Sequence, residues 1–388
     1  MMWEKVKIGD VYEGLYDGPH ATPPTSDDGA IFLGISNITK DGHIDLSDIK
    51  YINENDLPKW TKRVTPKGGD IVFSYEATLN LYAIIPDDFW GCLGRRMALI
   101  RPDETKAHGK YLYYYFFSEE WRSTVSSHII TGATVDRIPI AKFPKFIISL
   151  PPMEKQHKIA NILSNYDDLI VNNKKQIKLL EEAAQRLYKE WFVDLRFPGY
   201  EDVEIVDGVP EGWEITPINM VANLKAGGDK PKTFSEKMTN ENKIPVFANG
   251  ITGKGLMGFT DKAVINNPSV TISARGTVGV VFLRTEPYVP IVRLISVTPI
   301  EDKVDILYLY LYLINQNFRS TGAAQQQITV PLLKSKNIIC PTDDVRKSFN
   351  DVITSIFNKI DILEKHINKL TEARDRLLPK LMNGEIEV

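Results

Sequence analysis

The chain has 388 residues, 43% hydrophobic and 25% charged, with a net charge of −3 and two cysteines, Cys92 and Cys340. That length predicts two or three domains and that composition a globular fold, not a disordered chain. A disulfide framework is excluded, no window reaches the ~18 uncharged apolar residues of a membrane span, and near-neutral charge weighs against binding nucleic acid by bulk attraction.

The Met-Met-Trp-Glu-Lys start carries no apolar signal core, so a cytoplasmic protein in a reducing compartment is expected. Residues 1–150 form a first mixed block, with 17 basic and 20 acidic residues. A β-rich run, Ile71-Val72-Phe73, leads into Ser74. The aromatic stretch from Tyr111 to Phe117 reads as a buried helix, with core packing favoured over base stacking. Lys62-Arg63 and Arg95-Arg96 are the densest basic pairs.

A long helix is predicted over 151–197, after Pro151-Pro152. Its apolar seam runs through Leu163, Ile170, Ile177 and Ala184, with Tyr166, Asn173, Leu180 and Leu187 as the companion series. Asn173 either fixes register on the seam or faces water at its edge. Turn signals from Phe197-Pro198-Gly199 to Pro210-Glu211-Gly212 mark a linker into the second block, residues 198–340. There Val270-Thr271-Ile272 leads into Ser273, and Tyr308 to Leu313 is the aromatic helix. Residues 201–340 carry 14 basic and 14 acidic groups, so any DNA contact must come from locally arranged side chains. Arg275, in Ser273-Ala274-Arg275-Gly276-Thr277-Val278-Gly279, lies among small residues that allow close approach to a ligand. A second long helix is predicted over 341–388, its seam Ile353, Ile360, Ile367 and Arg374 against Ile356, Leu363, Leu370 and Leu377, with Pro379 expected to kink or stop it.

The two helices repeat. At an offset of 190, Glu182, Ala183, Arg186 and Leu187 fall on Glu372, Ala373, Arg376 and Leu377, and Thr131-Gly132-Ala133 falls on Thr321-Gly322-Ala323. Trp3-Glu4 meets Trp213-Glu214 only at 210, which assigns about 20 extra residues to the front of the first unit. The expected fold class is α+β: two mixed globular domains separated by two long helices that form an antiparallel coiled coil, with a pseudo-two-fold internal repeat. The helices can pair with each other or with another chain; the returning second block favours intrachain pairing. The seam from Leu163 to Leu187 spans roughly 37 Å at 1.5 Å per residue.

Catalytic signatures are missing from the sequence. Asn267-Pro268-Ser269 lacks the second proline of an amino-methyltransferase motif, and there is no phosphate-binding loop or nucleophile elbow. The acidic pair in Pro102-Asp103-Glu104-Thr105-Lys106 is adjacent, where a nuclease metal site takes its acids from separate strands. The histidines have no zinc spacing. The chain reads as a scaffold or reader with no catalysis of its own and no bound metal.

Several segments resemble the specificity subunit of type I restriction–modification systems. They are Leu150-Pro151-Pro152-Met153-Glu154-Lys155-Gln156, the stretch Leu180 to Phe192, Pro210-Glu211-Gly212-Trp213-Glu214, and Ala373 to Leu381 followed by Asn383-Gly384-Glu385-Ile386. Cys340-Pro341-Thr342-Asp343-Asp344 departs from the double-proline pattern at the second helix. The resemblance implies two target recognition domains that each read half of a split, asymmetric site in double-stranded DNA. It also implies helices that act as spacer and dock two modification subunits. S-adenosylmethionine is then held by those partners and not by this chain, and a translocase/nuclease subunit completes the restriction complex. DNA half-sites one turn apart are separated by about 34–36 Å, the same order as the seam. Candidate DNA-binding residues are Ser36, Asn37, Arg95, Arg96 and Arg137 in the first domain, and Asn249, Lys254, Arg275, Thr277, Gln325, Gln326 and Gln327 in the second. The competing reading is a structural adaptor whose coiled coil recruits partners and whose variable domains bind protein.

Overall fold

The computed structural model describes residues 3–131, 135–300, 302–316, 318 and 327–388. By packing the chain divides into two units, residues 1–173 with 365–388, and residues 174–364, so both long helices contribute to each. The proposed match of Thr131-Gly132-Ala133 with Thr321-Gly322-Ala323 lies largely outside the described residues.

In the first unit the strands are β1 (Glu4–Lys7), β2 (Tyr12–Asp17), β3 (Ala30–Leu33), β4 (Lys50–Ile52), β5 (Ile71–Ser74), β6 (Tyr82–Ile84), β7 (Gly91–Leu93), β8 (Met97–Pro102) and β9 (Ile147–Leu150). Helices α1 (Leu57–Trp60), α2 (Gly109–Tyr115) and α3 (Glu119–Ser126) interleave them, and α4 (Met153–Phe192) follows. An antiparallel sheet has the order β2-β8-β5-β6; a second sheet has the order β4-β3-β7 with β3 parallel to β7; β1 pairs with β9. Strand β5 is buried along its whole length because both faces are covered, which explains its unbroken apolar run.

The second unit repeats this plan. Its strands are β10 (Ile205–Val206), β11 (Val209–Pro210), β12 (Glu214–Pro217), β13 (Ala222–Ala226), β14 (Ile244–Phe247), β15 (Leu256–Thr260), β16 (Ser269–Ile272), β17 (Val281–Arg284), β18 (Val289–Pro290), β19 (Ile295–Pro299) and β20 (Asn337–Cys340). Helices α5 (Ile306–Ile314) and α6 (Val330–Lys334) precede α7 (Asp343–Met382). The orders β13-β19-β16-β17, β15-β14-β18 and β12-β20 match those of the first unit strand for strand, including the parallel pair β14 and β18. The offset between matched residues falls from 214 at Leu33 and Phe247, through 199 at Ser74 and Ser273, to 190 at Ile147 and Asn337. The extra residues of the first unit are therefore not confined to its front: some lie between α2 and β9, where α3 sits.

Both aromatic helices belong to the core, as their composition predicts. Tyr111, Leu112, Tyr113, Tyr114 and Tyr115 are buried, as are Tyr308, Leu309, Leu311 and Tyr312. Their hydroxyls meet the last strand of each unit. Tyr111 donates to the Ser149 carbonyl at 3.1 Å, and Tyr308 donates to the matching Ile339 carbonyl at 2.5 Å. Satisfying a buried phenol this way avoids the cost of an unmade hydrogen bond.

Within the first unit, Ile159, Ala160 and Leu163 of α4 share a core with Leu381 and Met382 of α7. Within the second, Ala184, Tyr188 and Phe192 of α4 share a core with Phe349 and Ile353 of α7. The start of one helix thus packs on the end of the other, and the pairing is intrachain and antiparallel. Leu163, Ile170, Asn173, Ile353, Ile360 and Leu363 are buried. Tyr166, Ile177, Leu180, Leu187, Ile356, Ile367, Leu370 and Leu377 are half-buried. Asn173 does not face water, being 8% exposed. Pro379 does not stop α7, which runs on to Met382. Proline removes one donor in the last turn, while the buried Leu381 and Met382 hold that turn to the core. Each helix is followed by a return to a tryptophan: Phe197 packs on Trp213 at 4.8 Å between ring centroids, and Gly384 lies against Trp3. Among the described residues no helix is long and apolar enough to cross a membrane.

Candidate nucleic-acid interface

The hairpins β5–β6 and β16–β17 end in tips of equal length. Ser74 donates its N–H to Leu81 at 3.1 Å, and Ser273 donates to Val280 at 2.8 Å, leaving six residues beyond each bond. The third and sixth tip residues are left-handed in both: Ala77 (φ 70°) and Asn80 (φ 61°), Gly276 (φ 69°) and Gly279 (φ 84°). The two tips therefore match in length, closing bond and left-handed positions, and Glu76 takes the place of Arg275, Thr78 that of Thr277. Beneath them the buried Ser74 and Ser273 hydroxyls both lack a hydrogen-bond partner among the described residues.

A second loop flanks each tip. In the first unit it is Gly94-Arg95-Arg96, and the Arg96 carbonyl accepts from Tyr75 N–H at 3.1 Å. Gly94 N–H donates to Leu33 and Ile291 N–H to the matching Phe247, which sets Arg96 against Arg293. Both arginines are left-handed, at φ 73° and 65°. Such a backbone costs a non-glycine residue about 1–2 kcal/mol, so the turn that presents these two guanidiniums is held by its surroundings. A third segment completes each cluster. Ile138 N–H donates to Tyr75 at 2.8 Å and Ile328 N–H to Ala274 at 3.1 Å, so Arg137 and Gln327 are matched neighbours of the tips.

In the first unit Arg95, Arg96 and Arg137 thus converge on one hairpin tip, with Arg95 and Arg137 exposed. Arg96 lies 3.9 Å from the Glu76 carboxylate. Burial, then the Asp17 and Glu76 carboxylates, raises the pKa of Tyr75, against the pull of Arg63 and Arg96. Ser36 is exposed beside this cluster, on the turn that follows β3. Asn37 is not available to a base. It is 4% exposed, its Oδ1 accepts from Gly34 N–H at 3.0 Å and its Nδ2 donates to the Asp45 and Asp48 carbonyls at 3.1 Å. Nearby, a groove of about 400 Å³ is lined by Lys59, Lys62, Arg63 and His20 around Trp60, with Asp17 paired to Arg63 and 3.1 Å from His20, so its two lysines are the groups left for backbone phosphates.

In the second unit Arg275 is exposed and makes no ion pair among the described residues. Gln327 is exposed beside it; Gln325 and Gln326 lie outside the described residues. Asn249 is held as a clamp. Its Oδ1 accepts from Ala274 N–H at 2.8 Å and its Nδ2 donates to the Val292 carbonyl at 2.7 Å, so one amide joins the tip to the Arg293 loop. The Thr277 hydroxyl is buried and has no hydrogen-bond partner among the described residues. Lys254 is turned to helix α7, where its ammonium meets Glu364 at 2.9 Å, and it is withdrawn from the cluster. Arg284 supports that turn from below: buried and stacked 3.6 Å from the Phe247 centroid, it donates to the Lys254 carbonyl at 2.6 Å. Lys225, Lys230 and Lys232, on β13 and the loop after it, are exposed. Glu76 and Arg293 are the residues that sequence reasoning missed; the offset of 199 through Ser74 and Ser273 would have found Glu76.

Each unit therefore gathers guanidiniums at a hairpin tip, on the tip itself at Arg275 in the second unit and on the flanking segments at Arg95, Arg96 and Arg137 in the first. Such groups can fork to guanine or to phosphate oxygens.

The profile of the type I restriction modification DNA specificity domain matches residues 2–182 and again 210–372. The specificity subunit of the type I restriction enzyme MjaIX of Methanocaldococcus jannaschii is 27% identical over 361 residues, covering 87% of this chain and 82% of that protein. The HindI specificity subunit of Haemophilus influenzae is 24% identical over 99% of both chains. In fold, the crystal structure of the type I restriction–modification S subunit from M. genitalium superposes with a TM-score of 0.60 at 18% identity, over 98% of this chain and 96% of that one. Two matches of one profile along one sequence coincide with the two units that share a strand order, and the chain belongs to the type I restriction–modification DNA specificity family.

Proposed function

We propose that this chain is the DNA sequence-specificity subunit of a type I restriction–modification complex. The observation that carries the reading is the pair of hairpin tips of equal length and matching left-handed positions that bear different side chains, Glu76 in one unit and Arg275 in the other. Equal scaffolds with unequal reading groups suit a split target whose halves differ. Recognition residues are Arg95, Arg96 and Arg137 in the first domain, and Arg275, Arg293 and Gln327 in the second. Lys59, Lys62, Lys225, Lys230 and Lys232 supply phosphate contacts, which position the duplex and make affinity steeply salt-dependent.

The remaining chemistry is assigned to partners. Two modification subunits dock on α4 and α7, bind S-adenosylmethionine and methylate adenine; a further subunit supplies translocation and cleavage. The chain works in the cytoplasm, where its target DNA lies. The test is selection from a randomised duplex library by the chain assembled with its modification subunits. Enrichment of one gapped motif supports the reading. An assembled complex that enriches no sequence rejects it in favour of a protein-binding adaptor.

A further inference from the structure

We propose that the second residue of each hairpin tip is a specificity-determining position, at which Glu76 accepts from a cytosine amino group while Arg275 donates to guanine. This deepens the reading above and rests on it. The two tips have the same length, the same closing hydrogen bond and the same left-handed positions, so residue two leaves each from the same place. Threonine stands at position four in both, and an aliphatic residue, Leu79 or Val278, at position five. Only position two changes in charge sign.

A carboxylate on a face that meets phosphates is repelled unless cations hold it. Glu76 has two. Arg96 lies 3.9 Å away, and Arg137 is its direct partner in an antiparallel bridge, which sets their side chains on one face. Where the tip is cationic, at Arg275, the residue in the place of Arg137 is the neutral Gln327, while Arg293 keeps the place of Arg96. The surroundings thus change with the tip: Glu76, Arg96 and Arg137 sum to one positive charge, Arg275, Arg293 and Gln327 to two. Net attraction for DNA is kept in both units while the reading group is inverted.

The inversion has a defined chemical consequence. An ionised carboxylate only accepts hydrogen bonds, and cytosine presents the N4 amino donor in the major groove. A guanidinium only donates, and guanine presents the O6 and N7 acceptors.

The experiment maps methyl-adenine across genomic DNA modified by the complex of this chain with its modification subunits, for the wild type and for Glu76→Gln, Glu76→Arg and Arg275→Gln. Arg275→Gln should relax a guanine in one half-site by roughly tenfold or more. Glu76→Gln should relax a cytosine in the other half-site to a similar degree, and Glu76→Arg should exchange it for guanine. An unchanged motif in all three variants would overturn the proposal. So would a uniform loss of methylation at an unchanged motif, which would make the tip a tether, or an effect of both residues on one half-site. Methylation by the wild-type complex at no motif would sink the functional reading itself, a result distinct from these. Both side chains are at surface tips, and Glu76→Gln keeps shape, so that variant remains informative if Glu76→Arg does not fold.

Discussion

Arg374 and Asp167 form a buried ion pair, Nη1 to Oδ1 at 2.5 Å, inside the first unit where the two long helices pack. Tyr114 donates to the other carboxylate oxygen at 2.5 Å, and Asp375 caps the guanidinium at 2.9 Å. Burial works against the charge of Arg374, but Asp167 and then Asp375 prevail and raise its pKa, while burial and then the Asp167 charge raise that of Tyr114. The helix repeat puts Phe357 in the place of Asp167 and Ala184 in the place of Arg374. One half of the molecule uses a polar triad where the other uses apolar packing.

That substitution pattern gives a first prediction. Arg374→Ala leaves the Asp167 carboxylate buried without its charge partner and should destabilise the protein by about 3–5 kcal/mol. The triple variant Tyr114→Leu, Asp167→Phe, Arg374→Ala copies the apolar solution, in which Leu311 stands in the place of Tyr114, and should recover most of that loss. Urea midpoints of the two variants, compared at equal slope, check this; a triple variant no better than Arg374→Ala would reject it.

The hairpin tips give a second. Ala77 holds a left-handed backbone that glycine takes at the matching Gly276. Ala77→Gly should be neutral or stabilising, and Gly276→Ala should cost about 1 kcal/mol from the backbone, since a Cβ there meets nothing within 4 Å among the described residues. Thermal melts of both variants read the difference in sign.

A third prediction concerns Asn249. Its amide makes one bond to the tip and one to the Arg293 loop, so Asn249→Ala should cost about 1–2 kcal/mol and loosen both. Amide exchange at Ala274 should quicken. Unchanged protection there would mean that the clamp is redundant.

Glu120 carries a pH dependence. Burial alone would raise its pKa, but hydrogen bonds from Lys5 and Ser149 and the Lys5 charge prevail and lower it. Its folded pKa lies below the unfolded value, so its contribution is present above about pH 4.3 and is lost as pH falls through the folded pKa. Glu120→Gln should lower the melting temperature at pH 7 and flatten the fall of stability below pH 5. An acid limb identical to wild type would contradict this.

Much of the architecture is written in local patterns. The heptad seams locate α4 and α7, and the 190-residue offset exposes the repeat, because helical periodicity is a near-neighbour property. Arg374 already stands out as the one charge on an apolar seam. The interface is less legible. Asn37 and Asn249 have the residue type of base readers, yet their amides are used by backbone groups, in Asn249 by Val292 far along the chain. Lys254 is neutralised by Glu364, 110 residues away. Glu76 carries no motif because Ala77 and Asn80 replace the two glycines of the second tip, so only the offset of 199 through Ser74 and Ser273 sets it against Arg275, while Arg293 is matched to Arg96 only through the backbone bonds of Gly94 and Ile291.

The central claim is that the two units of this chain specify the two halves of one DNA target. Its most direct test is to reconstitute the chain with its modification subunits, supply S-adenosylmethionine and map methyl-adenine across genomic DNA. The account predicts a single gapped, asymmetric motif that disappears when this chain is left out. Methylation without a motif, or the same motif from the modification subunits alone, would contradict it.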